Sequence, residues 1–325
     1  MKEIAKAFGI EGEISESVIL GDGGIHRTYR IRMNTGKSYI FQKMNTKVFQ
    51  NPEEVMQNIL LVTEYLKGEN IETLEFHQTE SGVYLYQDWR VMNYLDGYSL
   101  KSVEELNQLQ QMGEAFGRFQ KAVSGIEAGR LKEVIPGFHD TERYYQELLS
   151  LKPDLPEAEI LLEWKDKACF VCETYRTKKI AYRVTHGDMK CSNLLFDRKT
   201  GYPLAVIDLD TVMPGKVVYD FGDAVRSISR NGLNIEKFKA FADGWLNQMD
   251  YTEPEQKLLI PSIFSITVEL AVRYLTDYLR GNIYFRVNQP EQNLIRAGTQ
   301  IKLAQEFLKH QAIMEEIIYG IYRSS

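Results

Sequence analysis

The first third of the chain alternates hydrophobic and polar positions with a period of two, which is the pattern of strands with one buried face. Between residues 17 and 44, Ile31 and Met33 alternate with Arg30 and Arg32, and a glycine turn and an Asn-Thr-Gly turn interrupt the pattern. This order predicts strand, glycine turn, strand, turn, strand. We expect a small antiparallel sheet here.

A helical pattern replaces the alternation after residue 50. Asn51 is placed to cap a helix, Pro52 suits its first position and Gly68 closes it, with apolar residues at spacings of three and four between them. Two further apolar segments, 82–86 and 89–95, predict strands. The N-terminal part is therefore expected to contain strands and one helix.

From about residue 103 onward, the hydrophobic period is that of helices. The exception is segment 193–208, where two apolar runs flank a turn-rich sequence and predict a β-hairpin. The outline is an α+β protein with a small β-rich lobe at residues 1–95 and a larger, mostly helical lobe at residues 96–325. Binding sites favour the cleft between two such lobes.

Composition narrows the choice of partners and compartment. The 325 residues carry a net charge of −6 with scattered Lys and Arg, so no nucleic-acid or anionic-membrane partner is expected. The most apolar stretch contains Pro261, Glu269 and Arg273, which favours a buried helix over a membrane span. Cys169 and Cys172 form a CxxC inside a predicted helix, and we expect their thiols to pack in the core rather than to form a zinc or redox site. The chain shows no signal peptide, so we expect a cytoplasmic protein.

The sequence VTHGDMKCSNLLFD at 184–197 gathers polar residues immediately before an apolar strand. It contains His186, Asp188, Lys190 and Asn193. The spacing Asp-x-Lys-x-x-Asn, with a histidine two residues before it, has the form of the catalytic-loop signature of protein kinases. The alternative is a polar turn in which the Asp and Asn side chains make capping hydrogen bonds.

Asp208 ends the partner strand of the same hairpin, which can bring it close to Asn193. Carboxylate and amide oxygens of this kind suit Mg²⁺, which leaves its other positions to water and phosphate. Asp188 could then accept the proton of a substrate hydroxyl, and Lys190 could neutralise charge on a transferring phosphoryl group. These residues predict phosphoryl transfer from ATP.

Further features occur in the order that a kinase requires. A glycine turn follows the first strand, where backbone N–H groups can approach phosphate. Its glycines are Gly21, Gly23 and Gly24. Lys43 on the third strand precedes a helix bearing Glu53 and Glu54, in the order of the lysine–glutamate ion pair of kinases, although Glu54 can also complete a capping box. The adenine is expected near Met92 and Tyr94, where the first lobe ends.

The sequence AVIDLDTV admits a competing interpretation. An apolar strand followed by Asp-x-Asp-Thr is also the motif of haloacid-dehalogenase-type phosphatases, with Asp208 as nucleophile and Asp210 as acid and base. That motif normally opens an α/β domain, whereas the remainder of this chain predicts helices. A phosphatase would also leave His186 and the glycine turn unexplained.

The motifs HGDMKCSN and IDLD resemble the HGDxxxxN and IDxD motifs of the aminoglycoside phosphotransferase and choline kinase superfamily. Within that superfamily, the stretches VIDLDTVMPGKVVYDFGDAVRS and LTDYLRGNIYF are similar to the N-acetylhexosamine 1-kinase branch. The resemblance implies a protein-kinase-like two-lobe fold. It also implies phosphorylation of the anomeric C1 hydroxyl of GlcNAc or GalNAc, with ATP and Mg²⁺.

The same resemblance implies roles for single residues. Asp188 would be the general base, Asp208 a Mg²⁺ ligand and Asn193 the second ligand. Asp220, in the sequence YDFGD, would brace the catalytic loop rather than react.

Arg273 and Tyr284 match positions that hold the sugar in that branch. Independently of the resemblance, Glu269, Arg273 and Asp277 follow one another at intervals of four and form a charged stripe on an apolar helix. A solvated helix face is the alternative explanation for this stripe.

One departure from the branch concerns the acceptor. The branch usually has Gly-His-Ile-Asn after the glycine turn, whereas this chain has Gly24 in place of the histidine and His26 in place of the asparagine. His26 is therefore a candidate for acceptor binding, and Lys43 replaces a frequent arginine. Another hydroxyl acceptor (aminoglycoside, choline or amino-alcohol) and a nucleotide-binding module without turnover stay open as alternatives. GlcNAc against GalNAc, ATP against GTP and the oligomeric state also stay open.

Overall fold

The N-terminal part is a four-stranded antiparallel sheet in the order β1-β2-β3-β4, in a computed structural model that describes residues 1–21 and 25–324. The strands are β1 (Ile14–Leu20), β2 (Arg27–Met33), β3 (Ser38–Lys43) and β4 (Trp89–Asn93). The predicted strands between residues 17 and 44 are confirmed. The strand predicted at 82–86 is wrong: that segment contributes only an isolated bridge, from Tyr86 to Trp89, because the edge of β4 that β3 leaves free pairs with the segment around Phe76 instead.

The two faces of this sheet have different neighbours. One face is covered by helix α1 (Lys2–Ala7). The buried members of that face are Ile31, Met33, Phe41 and Val91. Gln42 and Arg90 lie opposite each other on the other face, since side chains alternate along a strand. This second face is directed at the C-terminal part of the chain, where Arg90 pairs with Asp210.

Helix α2 (Pro52–Gly68) begins and ends where the sequence predicts, although Asn51 makes no side-chain capping bond. Its buried side packs into the same hydrophobic core as the C-terminal helices. Asn58 in its middle donates from Nδ2 to the carbonyl oxygen of Val212 at 2.9 Å. By packing, α2 therefore belongs with the C-terminal part, and the division of the chain at residue 95 stays a prediction.

Helices dominate the chain after β4. They are α3 (Leu106–Val123), α4 (Thr141–Ser150), α5 (Pro156–Glu163), α6 (Lys165–Thr177), α7 (Val218–Ile228), α8 (Ile235–Leu246), α9 (Glu253–Gln256), α10 (Leu259–Leu279), α11 (Gln292–Lys309) and α12 (Gln311–Ser324). The short strands are β5 (Gly97–Ser99), β6 (Arg183–Thr185), β7 (Leu194–Asp197), β8 (Pro203–Val206) and β9 (Met213–Gly215). Strands β7 and β8 form the predicted hairpin, β5 pairs with β7, and β6 pairs with β9. The predicted α+β class is confirmed.

Helix α10 is the centre of the helical part, where it packs against α4, α6, α7 and α11. Its length and apolar composition would suit a membrane span, but 78% of its most apolar window is buried inside the protein. On the neighbouring α6, Cys169 is free and buried, and burial raises the pKa of its thiol to about 12. These features agree with the predicted core helix and packing thiols.

Helices α3 and α8 approach closely at glycines and support the strand that leads into the candidate site. A Cβ atom at Gly113 would lie 2.2 Å from the Phe241 carbonyl oxygen, closer than any real contact. About two turns later on α3, the buried Gln120 donates from Nε2 to the carbonyl oxygen of Val184 at 2.8 Å. The close helix pair therefore fixes β6.

Candidate active site

The catalytic-loop sequence connects β6 to β7 and is held from behind by α7. The Asp220 carboxylate accepts the backbone N–H of His186 at 2.7 Å and that of Gly187 at 2.9 Å. Thr211 donates from its hydroxyl to the carbonyl oxygen of His186 at 2.7 Å. Because Asp220 is 1% exposed and both its oxygens are used, it braces the loop as the resemblance implies.

His186 connects the catalytic loop to the strand that precedes Asp208. Its Nδ1 accepts the backbone N–H of Asp188 at 3.2 Å, so the ring proton lies on Nε2, which donates to the carbonyl oxygen of Ile207 at 3.0 Å. The ring is completely buried. His186 therefore sets the position of the loop relative to Asp208 and does not reach a substrate.

The hairpin brings Asn193 and Asp208 to neighbouring positions, as predicted. The backbone N–H of Ile207 donates to the carbonyl oxygen of Asn193 at 2.9 Å. Asp208 follows with φ 64°, a left-handed conformation that residues other than glycine rarely adopt. Backbone strain of this kind clusters at functional sites, where the surrounding structure holds it in place.

The side-chain oxygens of this pair are available to a metal ion. Asn193 donates from Nδ2 to the carbonyl oxygen of Asp188 at 2.8 Å, which leaves its Oδ1 without a hydrogen bond in the described part of the chain. The Asp208 carboxylate also makes no hydrogen bond there, and its ion pair with Lys190 is long, at 4.0 Å. Two hard oxygen donors with free lone pairs fit the chemistry of Mg²⁺.

Lys190 lies between two half-buried carboxylates. Its Nζ is in close contact with Asp188 Oδ2 and lies 4.0 Å from Asp208 Oδ2. Burial raises the pKa of Asp188, but Lys190 outweighs burial, so the net pKa lies below the ordinary value. Burial also raises the pKa of Asp208, where Lys190 offsets only part of it and the charge of Asp210 adds to it, so the net pKa lies above the ordinary value. Lys190 is thus placed to leave its ion pair with one of these carboxylates and to pair with an incoming phosphate instead.

A buried ion pair joins the sheet to the segment after Asp208. Arg90 donates from Nη2 to Asp210 Oδ2 at 2.6 Å, and both side chains are 3% exposed. The Arg90 Nε atom donates to Gln42 Oε1 at 2.9 Å. Burial raises the pKa of Asp210, but Arg90 and His26 hold it well below its usual range. Sequence reasoning missed Arg90 and Gln42, because only the strand register shows that they share the inward face.

Lys43 lies on the other face of the sheet. It shares that face with Phe41 and is exposed, on the side that α1 covers. It makes no ion pair with Glu53 or Glu54 in residues 1–21 and 25–324, so the structure does not show the lysine–glutamate pair, and nucleotide binding by Lys43 stays a prediction. Gln42, one residue earlier, lies on the inward face and accepts a hydrogen bond from Arg90.

His26 is buried at the junction of the sheet and Asp210. Its Nδ1 accepts the backbone N–H of Asn45 at 3.0 Å, its Nε2 faces Asp210 Oδ1 at 3.5 Å, and its ring stacks on Phe49. The residue is 8% exposed and its Nε2 atom makes no hydrogen bond among the described residues. Acceptor binding by His26 stays a prediction.

The remaining predicted nucleotide contacts lie at strand ends. Gly21 follows β1 with φ 73°, which favours glycine, and no heavy atom lies within 4 Å of where its Cβ atom would be. Gly23 and Gly24 lie outside the described residues. Met92 shares the inward face with Arg90, and Tyr94 follows the end of β4. Nucleotide binding by these residues stays a prediction.

Arg273 projects from α10 into a group of aromatic rings. Its guanidinium carbon lies 5.1 to 5.8 Å from four ring centres. The rings are those of Phe138, Tyr144, Tyr284 and Phe285. Arg273 makes no hydrogen bond or ion pair within the part of the chain that the structure describes, so its N–H donors are free for a ligand. Phe138 also lies against Gly187 of the catalytic loop, within 3.4 Å of where a Cβ atom would stand.

The charged stripe on α10 is not a solvated helix face, because Glu269 is 0% exposed and Asp277 is 5% exposed. Asp277 accepts the backbone N–H groups of residues 283–285 and so fixes the turn that carries Tyr284 to Arg273. Glu269 accepts a hydrogen bond from the Thr141 hydroxyl at 2.8 Å. Asp277 therefore positions Tyr284, and Glu269 joins α10 to α4.

Solved structures of small-molecule kinases share this fold. A microcompartment-associated aminopropanol kinase matches with a TM-score of 0.71 and 18% identity, over 97% of this chain and 99% of its own. Amicoumacin kinase hAmiN matches with a TM-score of 0.68 and 13% identity, over 94% of this chain and 92% of its own. Choline kinase LicA from Streptococcus pneumoniae matches with a TM-score of 0.63 and 13% identity, over 94% of this chain and 98% of its own. At these identities the likeness shows the fold, and the predicted kinase-like architecture is confirmed.

The sequence of residues 18–258 matches the phosphotransferase enzyme family (APH). This range includes most of the N-terminal sheet, the catalytic loop and the hairpin that ends at Asp208. The phosphatase interpretation is wrong, because the family is that of phosphotransferases and because Asp210, its required acid and base, is locked by Arg90. The chain therefore belongs to the APH phosphotransferase family and is a small-molecule phosphotransferase of the aminoglycoside phosphotransferase and choline kinase type.

Proposed function

We propose that this protein is a cytoplasmic, ATP- and Mg²⁺-dependent kinase that phosphorylates the anomeric C1 hydroxyl of an N-acetylhexosamine, either GlcNAc or GalNAc. The observation that carries the acceptor class is the free Arg273 guanidinium among four aromatic rings, next to the catalytic loop. The sequence stretches similar to the N-acetylhexosamine 1-kinase branch support the same acceptor.

The arrangement of the catalytic loop supports transfer of a phosphoryl group to a hydroxyl. Asp188 is ionised at neutral pH, because Lys190 keeps its pKa low, and it can orient the acceptor hydroxyl and take its proton. The acceptor oxygen forms a bond to the γ-phosphorus while the bond from that phosphorus to the β,γ-bridging oxygen breaks, and ADP leaves. Lys190 then counters charge on the moving phosphoryl oxygens. As Lys190 turns away from Asp188, that carboxylate becomes a better base.

Asp208 and Asn193 would hold Mg²⁺ through a carboxylate oxygen and the free amide oxygen. When bound, the ion supplies positive charge that neutralises the phosphate oxygens of the nucleotide. Amicoumacin kinase hAmiN was solved with AMP-PNP and Ca²⁺, which shows a nucleotide and a divalent cation bound to this fold in that protein. The presence of Asp188, Asn193 and Asp208 together supports an active enzyme over a nucleotide-binding module without turnover.

The surroundings of Arg273 favour a neutral acceptor over a cationic one. Aromatic faces attract cations such as choline ammonium groups. Here the positively charged guanidinium of Arg273 already lies against these aromatic faces. A second cation would be repelled, whereas the hydroxyl and acetamide oxygens of an N-acetylhexosamine can accept the free Arg273 N–H groups. The exposed Tyr284 ring can lie against the apolar face of the sugar. The cationic acceptors of the aminoglycoside and choline type are therefore the weaker proposal.

A screen of ATP consumption against chemically matched acceptors tests the proposal. We expect turnover with GlcNAc or GalNAc and none with their 1-O-methyl derivatives, choline, aminopropanol or kanamycin. Loss of turnover on methylation at O1 identifies the hydroxyl that is phosphorylated. Turnover with a cationic acceptor and none with the sugars would contradict the acceptor class and leave the phosphotransferase assignment intact.

Substitution of Arg273 separates its proposed role from helix stability. We expect Arg273→Ala to raise the KM for the sugar by about 10- to 100-fold, as loss of charge-assisted hydrogen bonds would, with the KM for ATP unchanged. Arg280→Ala is the matched control, since Arg280 is an exposed arginine at the end of the same helix that pairs only with Glu147 at 3.0 Å among the described residues. An unchanged sugar KM in Arg273→Ala would remove Arg273 from the acceptor site.

A further inference from the structure

His139 connects the catalytic loop to the helix that carries Arg273. The residue lies just before α4 with φ 56°, and its ring is largely buried. The Nε2 atom lies 2.8 Å from the carbonyl oxygen of Gly187, the residue before Asp188. The Nδ1 atom lies 2.8 Å from Glu269 Oε1, on α10 one turn before Arg273. A single ring therefore bridges two parts of the candidate site.

Both partners of the His139 ring can only accept hydrogen bonds. A carbonyl oxygen and an ionised carboxylate have no proton to donate. The other oxygen of Glu269, Oε2, also accepts a hydrogen bond, from the Thr141 hydroxyl. Neutral imidazole carries one N–H and would leave one of these two contacts unmade. The imidazolium form carries two N–H groups and satisfies both, so with Glu269 ionised the geometry favours the charged ring.

The electrostatic surroundings of the ring support the charged form. Burial lowers the pKa of His139, but the Glu269 carboxylate and the Gly187 carbonyl oxygen outweigh burial and raise the pKa above its usual value. Glu269 is fully buried, and burial raises the pKa of its carboxyl, which the charge of His139 more than offsets. Each member of the ion pair therefore favours the charged form of the other.

Several other titratable or charged groups face His139 from neighbouring elements. Arg273 on α10 opposes its charge. Lys216, between β9 and α7, donates to the His139 carbonyl oxygen at 3.0 Å, and the Cys172 thiol on α6 faces the same oxygen at 3.8 Å. On α7, the Tyr219 ring packs edge-on at 5.8 Å, and Asp220 braces the far side of Gly187. None of these five groups pairs with a ring nitrogen, whereas Glu269 pairs with Nδ1.

We propose that His139 is a positioning residue that acts as an imidazolium ion and fixes Gly187, and thus the Asp188 carboxylate, relative to the acceptor-binding helix α10. The inference rests on the proposed phosphoryl transfer but not on the identity of the acceptor. Gly187 has little room to adjust by itself, because Asp220 holds its N–H and a Cβ atom there would lie 3.0 Å from the Thr211 carbonyl oxygen. Loss of one His139 contact therefore displaces the loop toward or away from α10 as a unit.

The proposal has a defined dependence on pH. A histidine whose pKa is raised in the folded state keeps its ion pair below that pKa and loses it as the pH rises through that value. At a pH above the pKa of His139, one of its two ring contacts breaks, and the catalytic loop is no longer held at a fixed position relative to α10. The value of kcat should then decline on the alkaline side, while the KM for ATP, bound at the other side of the loop, stays constant.

The protonation state can be measured without any turnover. In ¹⁵N-histidine-labelled full-length protein, the resonances of His139 are assigned by their absence from the His139→Gln variant. We expect both ring nitrogens of His139 to be protonated at pH 7, and in Glu269→Gln we expect the ring to lose its proton at lower pH. A neutral His139 at pH 7 in the wild-type protein overturns the proposal, whatever the acceptor screen shows.

Kinetics then test whether the charged ring positions the catalytic loop. We expect the alkaline decline of kcat to move to lower pH in Glu269→Gln and to disappear in His139→Gln. In His139→Gln, kcat at pH 7 should be about tenfold lower, since small displacements of reacting groups can cost up to about 100-fold. His310→Gln is the control: His310 lies at the end of α11 and contacts the Glu306 carbonyl oxygen at 2.9 Å. An unchanged alkaline profile in both site variants, with folding intact by circular dichroism, would reduce His139 to a structural residue.

Discussion

Asp208 and Asp210 lie two residues apart, at the start of the same 3₁₀ turn, but their surroundings are opposite in kind. Asp208 is half-buried, makes no hydrogen bond in the described chain and has one distant ion pair, with Lys190 at 4.0 Å. Asp210 is 3% exposed and pairs with Arg90 at 2.6 Å. As a result, the pKa of Asp208 is raised and that of Asp210 is lowered.

This difference indicates that Asp208 is suited to bind a ligand, whereas Asp210 stabilises the fold. A carboxylate with free lone pairs and a raised pKa costs stability at neutral pH and gains it back when a cation binds. Asp210 is already neutralised by its hydrogen-bonded ion pair with Arg90, so it does not act as a ligand and instead joins the sheet to the hairpin. The motif IDLD thus places a metal-binding group and a fold-stabilising group on one turn.

The largest expected effects come from replacing each of these two aspartates with asparagine. Asp210→Asn leaves the Arg90 charge buried and unpaired, which should lower the free energy of unfolding by roughly 3–5 kcal/mol. Asp208→Asn should leave the free energy of unfolding unchanged or slightly higher, while kcat falls by at least about 100-fold through loss of the metal ligand. Urea unfolding and steady-state kinetics on both variants measure the contrast.

Equal losses of stability in the two variants would contradict the contrast between them. So would full activity in Asp208→Asn at saturating Mg²⁺. Because the substitutions are identical and two residues apart, any difference between them comes from the surroundings and not from the chemistry of the change.

A smaller effect is expected when the buried pair is removed as a unit. Arg90→Met alone leaves Asp210 buried without its partner and should destabilise the protein. The double variant Arg90→Met, Asp210→Leu removes both charges and should be more stable than either single variant, because breaking a buried pair costs more than replacing it. The coupling energy follows from the four free energies of unfolding. A double variant whose loss equals the sum of the single losses would show that the two residues do not stabilise each other.

The sequence predicted the parts of the site that are local in the chain. Asn193 and Asp208 belong to one hairpin, and the polarity pattern with its turn residues was sufficient to bring them together. The Arg90–Asp210 pair spans 120 positions and the His139–Glu269 pair 130, so no local pattern connects them. His139 in particular is a single histidine before a helix, with no motif around it.

Strand register was the other information that the sequence lacked. The alternation of Ile31 and Met33 with arginines predicted two faces of the sheet correctly. It did not tell which face is covered by α1 and which meets Asp210, because both faces contain apolar side chains and the choice depends on packing of distant segments. For this reason the sequence did not show that Lys43 lies on the face that α1 covers. The left-handed conformation of Asp208 had no sequence signal apart from the motif.

The pH dependence of stability should distinguish the two aspartates with opposite sign. Asp210 stabilises the protein above its unfolded pKa of about 3.9, and this contribution is lost as pH falls through its lower folded pKa. Asp208 destabilises the protein above its raised folded pKa, and this penalty disappears as pH falls through that value. The stability deficit of Asp210→Asn should therefore shrink in acid, and any stability gain of Asp208→Asn should vanish there. Urea midpoints measured from pH 7 to the lowest pH at which the wild type stays folded give both differences, and differences that do not change with pH would contradict the assigned surroundings.

The smallest effects should come from Lys43, and the comparison with its neighbour Gln42 is the sharpest test of the two faces of the sheet. Lys43→Ala removes an exposed side chain on the α1 side, so the free energy of unfolding should change by less than about 0.5 kcal/mol, and the KM for ATP should stay within about twofold, less than the loss of one hydrogen bond would cause. Gln42→Ala removes the acceptor of the Arg90 Nε–H, at 2.9 Å, and should cost about 1–3 kcal/mol because a buried donor loses its partner. If Lys43→Ala instead raised the KM for ATP tenfold with stability unchanged, the nucleotide would contact the face that α1 covers. The inward face of Gln42 and Arg90 would then serve only to join the sheet to the hairpin.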